Sequence, residues 1–308
     1  MVNYFKSQLS ITIKSLGFLT AFSINLILCL YNTIYMAWQC RNYDESMIPS
    51  SSEMFILRSA APANSVLKLL YIFILVFPFG FYVYKNTKAN IHPILIVRST
   101  LKKHYCSSAF CAFTSAFLCF FLPFIINMLI NAIVFPLDGT LLSGASEFTY
   151  NHTVAITGDN VFQNTIQKGE PFVELYIKSP VLYNLLYSFI FSTFCGILSV
   201  FVHSLSYFIK AMPIIMFLPL YLITFIQGKI DNVNMSHDAD VLYVNYKISD
   251  YIMINTFYGK SSLYFSTFVI SIILISIVLL MISYKIERDG NMRIKKKVWF
   301  WNSKPAVS

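Results

Sequence analysis

Two asparagines and one histidine are the polar side chains best placed for chemistry inside the apolar stretches of this 308-residue chain. Asn127 and Asn131 are four residues apart, so they share one face of a helix. Amide side chains form hydrogen bonds between helices in an apolar medium, so this pair either packs helices together or lines a substrate path. His203 is either a neutral packing residue or a gating or substrate-contact residue. We predict Asn127, Asn131 and His203 as substrate-path candidates.

The groups that most membrane enzymes and ion-coupled pumps use are missing from the apolar stretches. None of the 14 acidic residues falls within them, which argues against a proton-coupled carrier and against carboxylate-based catalysis. The six cysteines form no CxxC and no Cys/His group at metal-ligand spacing. The nucleotide-binding patterns GxxxxGKS/T and GxGxxG are also absent. We therefore expect no catalytic residue, no metal site and no cofactor on this chain, and any ATP and Mg²⁺ to be bound by a partner.

Six apolar stretches must position these residues. A hydrophobic content of 56% with only 12% charged residues excludes an ordinary soluble chain. A helix needs about 20 mainly apolar residues to cross the hydrocarbon, and only the fifth stretch, which contains Pro213 and Pro219, is clearly short. We predict an all-α polytopic membrane protein with six transmembrane helices, at Leu16–Trp38, Val66–Tyr84, Ala109–Phe135, Val181–Ile209, Met212–Gln227 and Leu263–Tyr284.

The basic residues lie on alternate sides of these stretches and predict their orientation. Fifteen of the 23 Lys and Arg residues, but only two acidic residues, fall on the side of the two termini. Lys and Arg in short loops favour the cytoplasm, so both termini are predicted to be cytoplasmic, with segments 39–64, 137–180 and 229–261 outside. The basic residues are scattered over several short loops, which indicates anionic lipid as a partner and no nucleic acid.

Both ends of the single predicted membrane domain, 1–308, are expected to touch the cytoplasmic surface. We predict an interfacial amphipathic helix at residues 1–15. Its apolar face is formed by Val2, Phe5, Leu9 and Ile13. Its polar residues lie off that face and are Lys6, Gln8, Ser10 and Lys14. Residues 285–308 form a basic cytoplasmic tail in which three lysines precede Trp299-Phe300-Trp301, a combination that favours the lipid headgroup region.

Two exterior segments are predicted to be irregular. Segment 39–64 is rich in Ser, Pro and Asn, a composition that is typical of irregular structure. Segment 137–180 is a long extracellular loop, in which Phe172–Ile177 is compatible with a short strand.

The cytoplasmic segment 91–104 has the pattern of a short amphipathic helix. Pro93 suits its first turn, Ile94, Val97 and Leu101 share one face, and basic residues flank that face. Such a helix either lies flat on anionic lipid or inserts its apolar face into a groove of a partner protein. The candidate coupling residues are Pro93, Ile94, Val97, Arg98, Leu101, Lys102 and Lys103.

Residues 89–227 show a characteristic order of features. A basic segment precedes an apolar stretch with a central Pro123 and a terminal Phe135-Pro136, and the later stretches have the short turn Ile209-Lys210 and a following Leu-Pro. In these features the chain resembles the ABC-2 type permeases of Gram-positive bacteria. The resemblance implies a cell-membrane exporter with two copies of a separate ABC ATPase subunit and a second permease copy or homologous permease. It assigns the coupling role to Pro93 to Lys103. The polar segment 229–247 departs from family members that carry a re-entrant helical pair there.

The resemblance leads us to predict the membrane-spanning subunit of an ATP-binding cassette exporter, with an amphipathic substrate such as a peptide, a lipid-like compound or a drug. Two alternatives stay open. One is a membrane protein for peptide sensing or immunity that binds an extracellular peptide with 137–180. The other is an interfacial lipid-modifying enzyme, for which Asp138, Glu147 and His152 lie on the same loop without a recognised spacing.

Overall fold

A computed structural model describes residues 2–42, 48–59, 61–88, 100–137, 172–208, 218–235, 251–252, 254 and 262–302. Apart from residues 48–59 and the short connections between elements, this part of the chain is helical, and it contains no strand. Its helices are α1 (Val2–Ile13), α2 (Leu16–Cys40), α3 (Pro62–Lys88), α4 (Leu101–Val134), α5 (Val173–Lys178), α6 (Pro180–Ser206), α7 (Leu218–Met235) and α8 (Ser262–Asn302). The strand considered for Phe172–Ile177 is wrong, because α5 occupies that position.

Five of these helices are long and apolar enough to cross a membrane, over Leu16–Cys40, Pro62–Gly80, Leu101–Val134, Pro180–Ser206 and Phe265–Ile286. The all-α, membrane-type architecture is thereby confirmed for the described residues. The predicted span Met212–Gln227 is described only from Leu218, where the shorter apolar helix Leu218–Gln227 forms the start of α7. The six-span layout therefore stays a prediction.

Serine side chains define where two of the spans begin. Ser15 is in an extended conformation, and its hydroxyl accepts a hydrogen bond from the Phe18 amide, which separates α1 from α2. The Ser179 hydroxyl accepts a hydrogen bond from the Leu182 amide in the same way, and Pro180 occupies the first position of α6. These are the residue types that satisfy free amides at helix starts.

The start of α4 differs from the predicted boundary. The span was expected to begin at Ala109, after a separate coupling helix, but α4 runs without interruption from Leu101. No Gly or Pro lies between Leu101 and Ala109, so nothing in the sequence stops the helix there. Leu101, Lys102 and Lys103 thus form its first turn. Pro93, Ile94, Val97 and Arg98 lie outside the described residues.

The N-terminal helix α1 packs against the bundle. Phe5 and Leu9 pack against a cluster that contains Phe79, Cys111 and Ala112. Gln8, which the sequence analysis placed off the apolar face, is only 3% exposed. Its amide nitrogen donates to the Tyr4 hydroxyl, and its amide oxygen accepts from the Ser107 hydroxyl at 2.8 Å. The helix predicted for 1–15 is present, and its contact with lipid stays a prediction.

The core is built around the contact between α4 and α6. Phe191 of α6 packs against Phe120 and Phe124 of α4, with ring centroids 5.4 and 5.3 Å apart. Small buried residues on α6 let the helices approach closely, namely Ser188, Ser192, Cys195, Gly196 and Ser199. α8 lies at the periphery, and many of its apolar side chains are exposed where lipid would cover them.

We expect Gly196→Ala to destabilise the bundle by about 1–3 kcal/mol, because an added methyl group in a packed core forces its neighbours to move. A Cβ at Gly196 would lie 2.7 Å from the Phe113 ring. Thermal unfolding in detergent measures the loss. Adding Phe113→Leu should restore part of it, and equal losses with and without the second substitution would contradict this contact.

Candidate functional site: a buried segment carrying a charged pair

The segment between α2 and α3, residues 48–59, lies inside the helical bundle. All of its residues except Ile48 and Ser52 are buried, and Phe55, Ile56 and Leu57 are fully inaccessible. The Phe55 ring packs edge-on against Phe124 of α4, with centroids 6.0 Å apart. We call residues 48–59 the buried segment. The prediction of an irregular segment is confirmed for these residues. Four consecutive apolar residues, 54–57, bury this part of the chain in the core.

Asn127 and Asn131 of α4 hold the buried segment in place. The side-chain oxygen of Asn127 accepts from the Ile56 amide at 3.1 Å, and its nitrogen donates to the Cys29 carbonyl and the Thr33 hydroxyl, both at 3.0 Å. Asn131 donates to the Met54 carbonyl at 2.9 Å and accepts from Thr33 at 2.6 Å. In this conformation both amides are used by the chain itself, which matches the packing alternative.

Two further asparagines complete the attachment. Asn32 of α2 donates to the Met54 carbonyl at 2.8 Å and accepts from the Ser59 hydroxyl. Asn184 of α6 donates to the Ser52 carbonyl at 2.7 Å.

The depth of the buried segment follows from its contact with Asn127, which lies seven residues before the end of α4. At a rise of 1.5 Å per residue, the segment reaches about 10 Å into the bundle from that end of the helix. Polar backbone at this depth is tolerated only when it is bonded within the protein.

The buried segment carries an ion pair into the bundle. Glu53 Oε2 lies 2.8 Å from Arg58 Nε, and both side chains are 1% exposed. Tyr176 of α5 contacts both residues: its hydroxyl donates to Glu53 Oε1, and the Arg58 guanidinium carbon lies 3.9 Å from its ring centroid. We call Glu53 and Arg58 the charged pair. The six apolar stretches contain no acidic residue, and Glu53 comes into the bundle on the non-helical segment between the first two of them.

Arg58 is held by the charge of Glu53 and by the ring of Tyr176. A guanidinium stays charged in proteins and offers five N–H donors. A buried charge that loses its partner is costly, so the position of Arg58 depends on Glu53.

The Tyr176 hydroxyl is kept protonated by its surroundings. Burial raises the pKa of Tyr176 well above its ordinary value, the positive charge of Arg58 lowers it in part, and the negative charge of Glu53 raises it further. At neutral pH the phenol is thus a donor to the Glu53 carboxylate. α5 is in this way attached to the charged pair through one side chain.

His203 does not join this site. It is 4% exposed, and its Nε2 lies 3.2 Å from the Ser108 hydroxyl and 3.3 Å from the Tyr207 hydroxyl. Its ring also packs edge-on against Phe79 of α3. Ser108 and Asn127 are 19 residues apart on α4, which corresponds to about 28 Å. The structure thus brings Asn127 and Asn131 together and places His203 near the opposite end of the bundle.

A second histidine that sequence reasoning missed lies at the same end as His203. His104 is 4% exposed, and its Nδ1 lies 2.8 Å from the Tyr4 hydroxyl of α1. The neighbouring Tyr105 stacks on Tyr207, with ring centroids 4.7 Å apart. This cluster joins α1, α4 and α6 and closes the end of the bundle opposite the charged pair.

We expect Asn127→Leu to destabilise the protein by about 2–3 kcal/mol, because it leaves the buried Ile56 amide without its acceptor. Asn25→Leu is the matched control, since the Asn25 side chain makes a single hydrogen bond, to the Cys119 carbonyl. That substitution should cost about 1 kcal/mol or less. Denaturant or thermal unfolding of both variants in detergent gives the comparison, and equal losses would contradict the anchoring role.

The charged pair and its amide shell offer charged and hydrogen-bonding groups. Among the residues that the structure describes, no group of three His, Cys, Asp or Glu side chains could hold a metal ion.

A comparison with models of known families, with curated proteins and with solved structures finds no match for this chain. The buried segment with its charged pair is therefore the site from which a function can be inferred.

Proposed function

We propose that this membrane protein is the permease subunit of an ATP-binding cassette exporter. The observation that supports the proposal best is the charged pair, which is buried near one end of an apolar helical bundle. Charged residues within membrane domains are costly, usually face the bundle interior and commonly mark a substrate pathway. The outward-facing side chains of the same helices are apolar, as Leu129 and Ile133 on α4 illustrate.

The energy for transport would come from separate polypeptides. The sequence carries no nucleotide-binding loop, so ATP and Mg²⁺ would be bound by a partner ATPase. The resemblance of residues 89–227 to ABC-2 permeases favours two ATPase copies and a second permease, identical or homologous. The cell membrane of a Gram-positive bacterium, with both termini in the cytoplasm, is part of the same proposal.

The contact with the ATPase is assigned to Pro93 to Lys103. The first turn of α4 supports this position, since Lys102 and Lys103 are exposed there. Basic residues at the rim would orient the partner, while Ile94, Val97 and Leu101 would supply the apolar anchor. The tail 285–308 would rest on anionic lipid.

One observation favours a sensing or immunity role as the second candidate. α5 lies at the chain end of segment 137–180, and its Tyr176 contacts both members of the charged pair. A peptide that binds to 137–180 could therefore change the bundle interior through α5 without being transported.

Purification of the tagged chain from native membranes in mild detergent tests the proposal. We expect an ATPase with a GxxxxGKS/T loop to co-purify at a fixed ratio, and the complex to hydrolyse ATP. The proposal fails if the isolated chain hydrolyses ATP or transports in liposomes without a partner. Peptide binding to the chain with no associated ATPase would favour the sensing role instead.

A further inference from the structure

Pro123 interrupts the backbone hydrogen bonding of α4 within its apolar span. The helix runs from Leu101 to Val134 with Pro123 inside it. A proline has no N–H group, so it cannot donate to the carbonyl of the residue four positions earlier, which is Cys119. Within a membrane span, a proline is tolerated when a neighbouring group bonds to the carbonyl that it frees. The Cys119 carbonyl therefore calls for a donor from outside the α4 backbone.

Asn25 of α2 supplies this donor. Its amide nitrogen lies 3.0 Å from the Cys119 carbonyl oxygen, and both residues are buried. The Cys119 thiol lies 3.8 Å from the Phe18 carbonyl of the same helix. Ala21, between these two contacts, is 0% exposed, and its small side chain lets the helices approach closely. α2 thus lies directly against α4 where Pro123 removes the backbone bond.

The contacts between α2 and α4 continue on the other side of the proline. Asn25, Cys29 and Thr33 are spaced four residues apart and so share one face of α2. The Cys29 carbonyl and the Thr33 hydroxyl both accept from the amide nitrogen of Asn127, which lies four residues after Pro123. One face of α2 therefore bonds α4 both before and after the proline.

We propose that Asn25 replaces the backbone donor that Pro123 removes, and that α2 thereby fixes the orientation of the two halves of α4 relative to each other. The half after Pro123 carries Asn127 and Asn131, which hold the buried segment. The half before it reaches the opposite end of the bundle at His104. A single amide on α2 thus aligns the candidate site with the rest of the bundle.

A double-mutant cycle between Asn25 and Pro123 tests this pairing. Asn25→Leu leaves the buried Cys119 carbonyl without its donor, so it should lower the thermal unfolding midpoint of the full chain in detergent by about 2 °C. Pro123→Ala restores the N–H group, so the α4 backbone bond can form again. In that background Asn25→Leu should lower the midpoint by less than about 0.5 °C.

Gln8→Leu is the matched control for the cycle. Gln8 is also a buried amide that bonds α4, through the Ser107 hydroxyl, which is 16 residues or about 24 Å along the helix from Pro123. The shift that it causes should be the same with and without Pro123→Ala. Pro123→Leu also restores the N–H group and takes the place of Pro123→Ala if that variant folds poorly.

Two results would overturn the proposal. An equal or larger shift from Asn25→Leu in the Pro123→Ala background would make Asn25 a packing residue with no link to the proline. No shift from Asn25→Leu in the wild-type background would mean that the Cys119 carbonyl does not depend on this donor. The measurement uses the chain without an ATPase, so its failure would leave the proposed transport role to be decided by co-purification.

Discussion

Glu53→Gln is expected to be the most destabilising single substitution in the buried segment, with a loss of about 3–5 kcal/mol. The substitution conserves shape but removes the charge that balances Arg58, whose side chain is 1% exposed. A guanidinium cannot release its proton in a protein, so the uncompensated charge persists. Thermal or denaturant unfolding in detergent measures the effect.

Two companion variants show whether charge is the cause. Arg58→Met leaves a carboxylate that can take up a proton in an apolar site and keep its contact with Tyr176, so its loss should be smaller, about 1–3 kcal/mol. The double variant Glu53→Leu/Arg58→Met should be close to the wild-type stability, because replacing a buried ion pair by apolar residues is often neutral. The double variant Glu53→Gln/Arg58→Met closes the cycle with the two single variants. If its loss equals the sum of the two single losses, the charged pair is not coupled.

Val97→Asp is expected to have the largest effect on the proposed activity. If Val97 is buried against an ATPase, removing a central apolar anchor costs more than about 2 kcal/mol of binding, and a buried unpaired charge adds to that loss. Association with the ATPase and substrate-stimulated ATP hydrolysis should therefore fall at least tenfold, while the spans stay folded. Both quantities are measured on the co-purified complex.

Arg98→Ala is the control for this prediction, because a rim charge contributes little to interface affinity. It should change association by a small factor that depends on salt. If Val97→Asp leaves association and hydrolysis intact, the segment Pro93 to Lys103 is a helix on the lipid surface. The ATPase contact would then be sought at the Lys210 turn or in the basic tail.

The long helices could be predicted from the sequence because membrane length and apolar content are local properties. About 20 apolar residues without a charge are sufficient to indicate α2, α4, α6 and α8. Helix starts were less predictable: α4 extends back to Leu101, since the polar residues before Ala109 are compatible with a helix although they are not apolar.

The site was only half predictable. The spacing of Asn127 and Asn131 places them on one face, but their partners Cys29, Thr33, Met54 and Ile56 are more than 70 residues away and carry no sequence signal of the contact. The buried segment lacks helical or strand periodicity, so its burial depends on these distant amides. One local signal was available: four consecutive apolar residues, 54–57, lie between Glu53 and Arg58, which is unusual for an exposed loop.

The position of the buried segment is the central claim, because the candidate site depends on it. Ser50→Cys and Leu137→Cys place thiols near the same end of the bundle, at residues that are 1% and 67% exposed. The variants are treated with a maleimide in membranes opened to both faces, and labelling at the introduced cysteine is read by peptide mass. We expect Leu137→Cys to react within minutes and Ser50→Cys to react only after unfolding. Equal labelling rates in folded protein would make residues 48–59 an exposed loop and contradict the account.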